Sequence, residues 1–165
     1  HVTLSGDGAR FDADAAYLGR NSQIIDYNIV ADHFGKRTES LITVNGALTD
    51  SAKKVFRGTI DFKKGSADSV GSENETVLML GDDVVNKTVP LILCAEENVE
   101  GTHGATIGEL DADTMFYFES RGIDRETAEK IMAYAAVERL IHMAEDGEFA
   151  AEAEKAMGIK TDTEE

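Results

Sequence analysis

The periodicity of the sequence changes near Gly108, and that change confines the chain to a β-rich unit followed by a helical one. Residues 1–108 are rich in β-branched residues, Gly, Asn, Ser and Asp. Short apolar runs recur through them: Gln23–Val30, Leu41–Val44, Val55–Phe56, Thr59–Phe62, Val77–Leu80 and Val89–Leu93. Turn formers such as Asn45-Gly46, Lys64-Gly65-Ser66 and Gly81-Asp82-Asp83 separate them. Such spacing predicts a sandwich, a barrel or a β-solenoid. Alternation in Thr59-Ile60-Asp61-Phe62 puts Ile60 and Phe62 on one face, as a solenoid wall with a wet exterior requires. Against this, Asn45-Gly46 is a hairpin signal that favours an antiparallel fold. No repeat of fixed length is visible, so pattern alone leaves solenoid and sandwich equally open.

Residues 109–158 read as helical. Asp111 is placed to cap a first helix through Met115-Phe116-Tyr117-Phe118 to Ser120, with Gly122 stopping it. Asp124 caps a second helix, with Glu126 in its first turn. Its expected apolar stripe is Ala128, Ile131, Met132, Ala135, Ala136, Leu140 and Met143. Gly147 ends it, a short helix follows from Glu148 to about Met157, and the tail Thr161–Glu165 is expected to fray. The predicted domains are a β unit over 1–108 and a helical unit with an acidic tail over 109–165.

Composition excludes several functions. Thirty-two acidic against sixteen basic residues give a net charge of −16, a field that repels phosphate backbones and argues against nucleic acid as a partner. No run of eighteen apolar residues is present, so no membrane-spanning helix is expected. The N-terminus lacks a basic region followed by an apolar one, and its strand-like start reads as a piece of a longer polypeptide. The single cysteine, Cys94, has no internal disulfide partner, and a reducing cytoplasm is the expected compartment.

Few residues offer chemistry. Cys94 is the only soft ligand, although a lone cysteine in a strand is more often a small buried hydrophobe. The carboxylates near it in sequence would raise a thiol pKa rather than activate the sulfur. His103 lies between Gly101 and Gly104, where small neighbours let an ion or partner approach, though a glycine-flanked histidine is often just exposed in a turn. One cysteine and one histidine are too few for an iron–sulfur cluster, which takes about four protein ligands. His33 reads as part of a polar turn, and His142 as an ordinary helix residue. No phosphate-binding loop, paired-cysteine motif, zinc-protease motif or nucleophile elbow occurs.

The run His103-Gly104-Ala105-Thr106-Ile107-Gly108-Glu109-Leu110-Asp111, followed by Met115-Phe116-Tyr117-Phe118-Glu119-Ser120-Arg121-Gly122-Ile123, resembles the signature of the SufB/SufD family of iron–sulfur cluster assembly proteins. Upstream, His33-x-Gly35-Lys36-x-Thr38-x-Ser40 and Phe56-Arg57-Gly58 are similar to elements of the same family. The resemblance implies a right-handed parallel β-helix with a C-terminal helical domain. It also implies a non-enzymatic scaffold that pairs with a SufB/SufD-type paralogue or a second copy of itself and docks the SufC ATPase. Cys94, nine residues before His103, and His103 itself are the implied ligands of a transient iron–sulfur cluster at the dimer junction. The helical segment 109–145 is the implied ATPase-docking region. Phe116, Tyr117, Phe118 and Arg121 are its candidate contacts, at least two of the three aromatics being expected instead to pack onto the end of the β-helix.

Two other readings compete. A structural subunit would dimerise and dock the ATPase without holding a cluster, with Cys94 buried and His103 at an interface. A solenoid hydrolase or lyase would act on polysaccharide through paired carboxylates, but no strand-borne pair is evident.

Overall fold

A computed structural model describes residues 1–143 and 145–157. Eight strands come first: β1 (Val2–Leu4), β2 (Arg10–Gly19), β3 (Ile24–His33), β4 (Glu39–Thr49), β5 (Lys53–Phe62), β6 (Ser69–Leu80), β7 (Val85–Cys94) and β8 (Val99–Glu109). They form two four-stranded sheets, β1-β3-β5-β7 and β2-β4-β6-β8, and every pairing is parallel. The chain therefore winds as a β-solenoid of four coils, each contributing one strand to each wall, and the antiparallel sandwich is ruled out. Between paired residues the chain advances 29 residues at Arg10↔Glu39 and 32 at Lys53↔Val85. Because the corners vary in length while the ladder stays in register, no fixed repeat shows in the sequence.

Asn45-Gly46 makes no hairpin; both residues lie inside β4. Gly46 is there for packing. A Cβ on it would come within 2.6 Å of the Tyr17 ring, so the missing side chain admits the tyrosine. The alternation predicted for Ile60 and Phe62 is observed: both are fully buried, with Ile42, Val44, Leu48, Phe56 and Val77.

His33 is not in a polar turn. It ends β3 fully buried, with Nδ1 2.7 Å from the Thr38 hydroxyl and Nε2 2.9 Å from that of Ser40. Its ring packs 4.7 Å from Phe62, and Ser69 joins the group through a 2.8 Å contact with Thr38. This set of hydroxyls satisfies a histidine that the apolar interior would otherwise reject.

Three helices follow: α1 (Ala112–Glu119), α2 (Arg125–Met143) and α3 (Gly147–Met157). The predicted caps are present. Asp111 accepts from the Thr114 N–H at 2.7 Å, and Asp124 from the Thr127 N–H at 2.8 Å. Gly122, at φ 79°, ends α1 with paired bonds from Ile123 N–H to the Phe118 carbonyl and from Gly122 N–H to the Glu119 carbonyl. The stripe predicted for α2 is out of phase. Ala128 is buried as expected, but the face continues through Ala133, Val137 and Ile141, while Ile131, Ala135 and Met143 are exposed. Small residues decide the phase. Ala133 and Ala136 let α2 approach the outer face of the second sheet, against Leu18, Ala47, Leu78 and Leu80. The helices thus cover a wall of the solenoid. The expected fraying of Thr161–Glu165 falls outside the described residues.

Burial holds His33 below its ordinary pKa, opposed in part by Asp32. Its contribution to stability is complete above the unfolded-state value of 6.5 and is lost as pH falls through the depressed folded value. Denaturant midpoints should therefore drop between about pH 7.5 and about pH 5.5, and the drop should be smaller in His33→Gln.

Candidate functional site

The fourth coil, β7 and β8, is the last among the described residues, and none of these adds a further coil over it. Neighbouring residues of a parallel ladder share a face. Cys94 pairs with buried Phe62, and His103 pairs with buried Glu73. Both side chains therefore belong to the inward-facing rows of their strands, yet both are exposed. Cys94 is the last residue of β7, so it borders the corner between the two walls. His103 stands in the middle of β8 rather than in a turn. The two lie on opposite walls of one open coil. Cys94 is thus not the buried hydrophobe that a lone strand cysteine usually is. Among the described residues, no group of three His, Cys, Asp or Glu side chains could hold a metal ion.

The coil directly beneath is charged. Lys54 is fully buried and forms an ion pair with Glu75; its Nζ also lies 3.2 Å from the Thr88 hydroxyl, which itself donates to Glu75. Glu73, 2% exposed, lies on the same side of β6 as Glu75. Burial raises the Glu73 pKa first and the charge of Glu75 raises it further, while His103 and Lys54 oppose the shift. Burial also lowers the Lys54 pKa, against the pull of Glu75. Tyr17 is pushed up, mainly by burial and then by Glu75. The Tyr17 hydroxyl, one Glu73 oxygen and the Asn86 amide oxygen have no hydrogen-bond partner among the described residues.

Polarity rises along two interior columns toward the open end. One column runs Ala13, Ile42, Glu73, His103; another runs Ile25, Lys54, Asn86. Lys54, Glu73 and Glu75 were not singled out in the sequence, where charged residues read as solvated. Strand parity was the available signal: Lys54 is in phase with Phe56, and both glutamates with Val77. A strand-borne carboxylate pair thus exists after all, contrary to expectation. It is buried in the third coil, too enclosed for a polysaccharide chain, so the hydrolase reading gains nothing.

On the helices, Phe116 is 73% exposed and Tyr117 is also exposed, with the Arg121 guanidinium 4.4 Å from the Tyr117 ring centre. Phe118 is half-buried, and Met115 is the residue of α1 that packs inward. The expectation that at least two of the three aromatics pack inward is overturned. On an eight-residue helix, one buried position leaves its immediate neighbours facing solvent.

A parallel β-solenoid with helices on one wall and a cysteine and histidine at its open end defines the class of protein. The SufBD core domain of the SUF iron–sulfur cluster assembly system matches residues 1–136, and the chain belongs to that family. It is 32% identical to the iron-sulfur cluster assembly protein SufD of Bacillus subtilis over 81% of the chain and 30% of that protein. It is 27% identical to the chloroplastic SufBD family protein ABCI8 of Arabidopsis thaliana, over 96% of the chain and 28% of that protein. With the SufD of Escherichia coli it shares 23% identity over 87% of the chain and 34% of that protein. The chain spans about a third of the length of these relatives. No helix among the described residues is long and apolar enough to cross a membrane.

Removing one partner of the buried ion pair should be costly because the other charge stays buried. Lys54→Met should lose about 3–5 kcal/mol, and the double change Lys54→Met with Glu75→Leu should recover most of it. Urea midpoints of the two variants check this.

Proposed function

We propose that the chain is part of a non-enzymatic scaffold that holds a nascent iron–sulfur cluster as cargo at the open end of the solenoid. The observation that carries this reading is that Cys94 and His103 both occupy inward-facing rows of the terminal coil yet remain exposed. A thiolate and an imidazole are ligands that iron accepts, and a second chain covering the coil would supply the remaining donors. The occupant of that end is a SufB/SufD-type paralogue or a second copy. In the latter case Cys94 of one subunit works with His103 of the other.

Terminal strands with unpaired backbone groups invite pairing. β7 adds an exposed outward row of Val89, Leu91 and Leu93 beside its open edge. The helical unit is the docking site for a SufC-type ATPase, supported by exposed Phe116 and Tyr117. No bond-breaking step is assigned to this chain; nucleotide hydrolysis belongs to the ATPase. A reducing compartment such as the cytoplasm suits an exposed thiol. A second reading, a dimerising subunit without cluster ligands, is favoured by the lack of a third ligand close to Cys94 and His103 among the described residues.

Anaerobic reconstitution with iron and sulfide, in the presence of the partner subunit and ATPase, separates the two. Under the scaffold reading, Cys94→Ala and His103→Ala each cut bound cluster to about a tenth or less, judged by visible absorbance and iron content. Unchanged loading in both variants, with the complex intact, would leave only the structural subunit.

A further inference from the structure

Glu73 has no role in the arrangement described so far. Its carboxylate spans the interior to Gly58 on the facing wall, where any Cβ would run into it. Oε2 has no hydrogen-bond partner although the residue is almost fully buried. Lys54 makes no hydrogen bond to it, because its ammonium is directed to Glu75 and Thr88. A buried carboxylate left in this condition is costly unless it takes up a proton or a cation.

The ladder places His103 directly over Glu73. Adjacent strands lie about 4.7–4.9 Å apart, while metal–imidazole and metal–carboxylate bonds are each about 2.0–2.2 Å long. That spacing is compatible with one ion bridging residues stacked in this way, both of which belong to inward rows. The inward positions flanking His103 are Gly101 and Ala105; the first makes room for Ile92 and Phe62 of the facing wall, and neither puts a bulky side chain of β8 beside the imidazole.

We propose that Glu73 and His103 are paired ligands for a divalent transition-metal ion, with Gly58 as the recess that admits the carboxylate. This rests on the reading of His103 as a ligand and deepens it. A carboxylate beside an imidazole suits ferrous iron better than a thiolate-only site would. The pair would hold iron at the mouth of the solenoid before sulfide or a thiolate engages it. Glu75 is unavailable for this because it is committed to Lys54. Water and the chain that covers the open end supply the other ligands.

Cobalt(II) is the probe, since its visible bands report ligand number and it substitutes for ferrous iron. It is titrated anaerobically into the chain and into Glu73→Gln, His103→Ala and Glu100→Gln, the last being an exposed carboxylate in the neighbouring outward row of β8. Glu73→Gln and His103→Ala should each weaken cobalt binding by about tenfold or more, and Glu100→Gln should not. Glu73→Gln keeps the shape of the side chain and removes a buried charge, so its melting temperature without metal should match or exceed that of the parent. Saturating cobalt should raise the melting temperature of the parent and not that of Glu73→Gln. Gly58→Ala keeps both ligands but fills the recess, and should also weaken binding. If His103→Ala weakens binding while Glu73→Gln binds cobalt and is stabilised by it as the parent is, the role of Glu73 is overturned and His103 stands as a ligand. If neither change matters, both readings fall.

Discussion

The structure depends on one constraint: each strand of the solenoid is paired in parallel with a strand one coil away, so interior side chains stack in columns. A coil in the middle of such a stack is covered on both sides. A coil at an end is covered on one side only, and its inward row faces solvent. Cys94 and His103 are exposed for that reason alone. Residues in rows that would be core one coil earlier are accessible here.

The same columns account for the charge inside. Phe56, Ile60 and Phe62 make the third coil as apolar as a core should be, yet Lys54, Glu73 and Glu75 share it. Lys54 and Glu75 satisfy each other, with Thr88 completing the contact. Glu73 is the residue without a partner, and it lies directly under the exposed histidine. Its raised pKa and that of His33, which is lowered, act in opposite directions on stability. The neutral His33 supports the fold as pH rises, whereas Glu73 supports it as pH falls.

The sequence made the change of period, the helix caps at Asp111, Asp124 and Gly122, and the inward placing of Ile60 and Phe62 legible. These are local: a cap needs four residues, and a strand phase needs three or four. Coil stacking was not legible, because corners of unequal length hide the repeat and Asn45-Gly46 carries the same letters in a strand as in a hairpin. His33 was misread because its partners are hydroxyls that make the segment look solvated, although they are what allow it to be buried. The phase of α2 failed because alanine and isoleucine line several faces, and only the surface it meets selects one. The motif around His103 lies in the last coil. Glu73 became visible only once the register was known.

The central claim is that Cys94 and His103 act together across a junction between two chains at the open end. The most direct measurement mixes two defective forms, Cys94→Ala and His103→Ala, and asks whether the mixture holds a cluster that neither holds alone. In a mixed dimer, one junction would contain both mutations and the other would contain both native residues. Recovery of cluster in the mixture is the predicted result. A mixture as empty as its components, with mixed dimers shown to form, would contradict it.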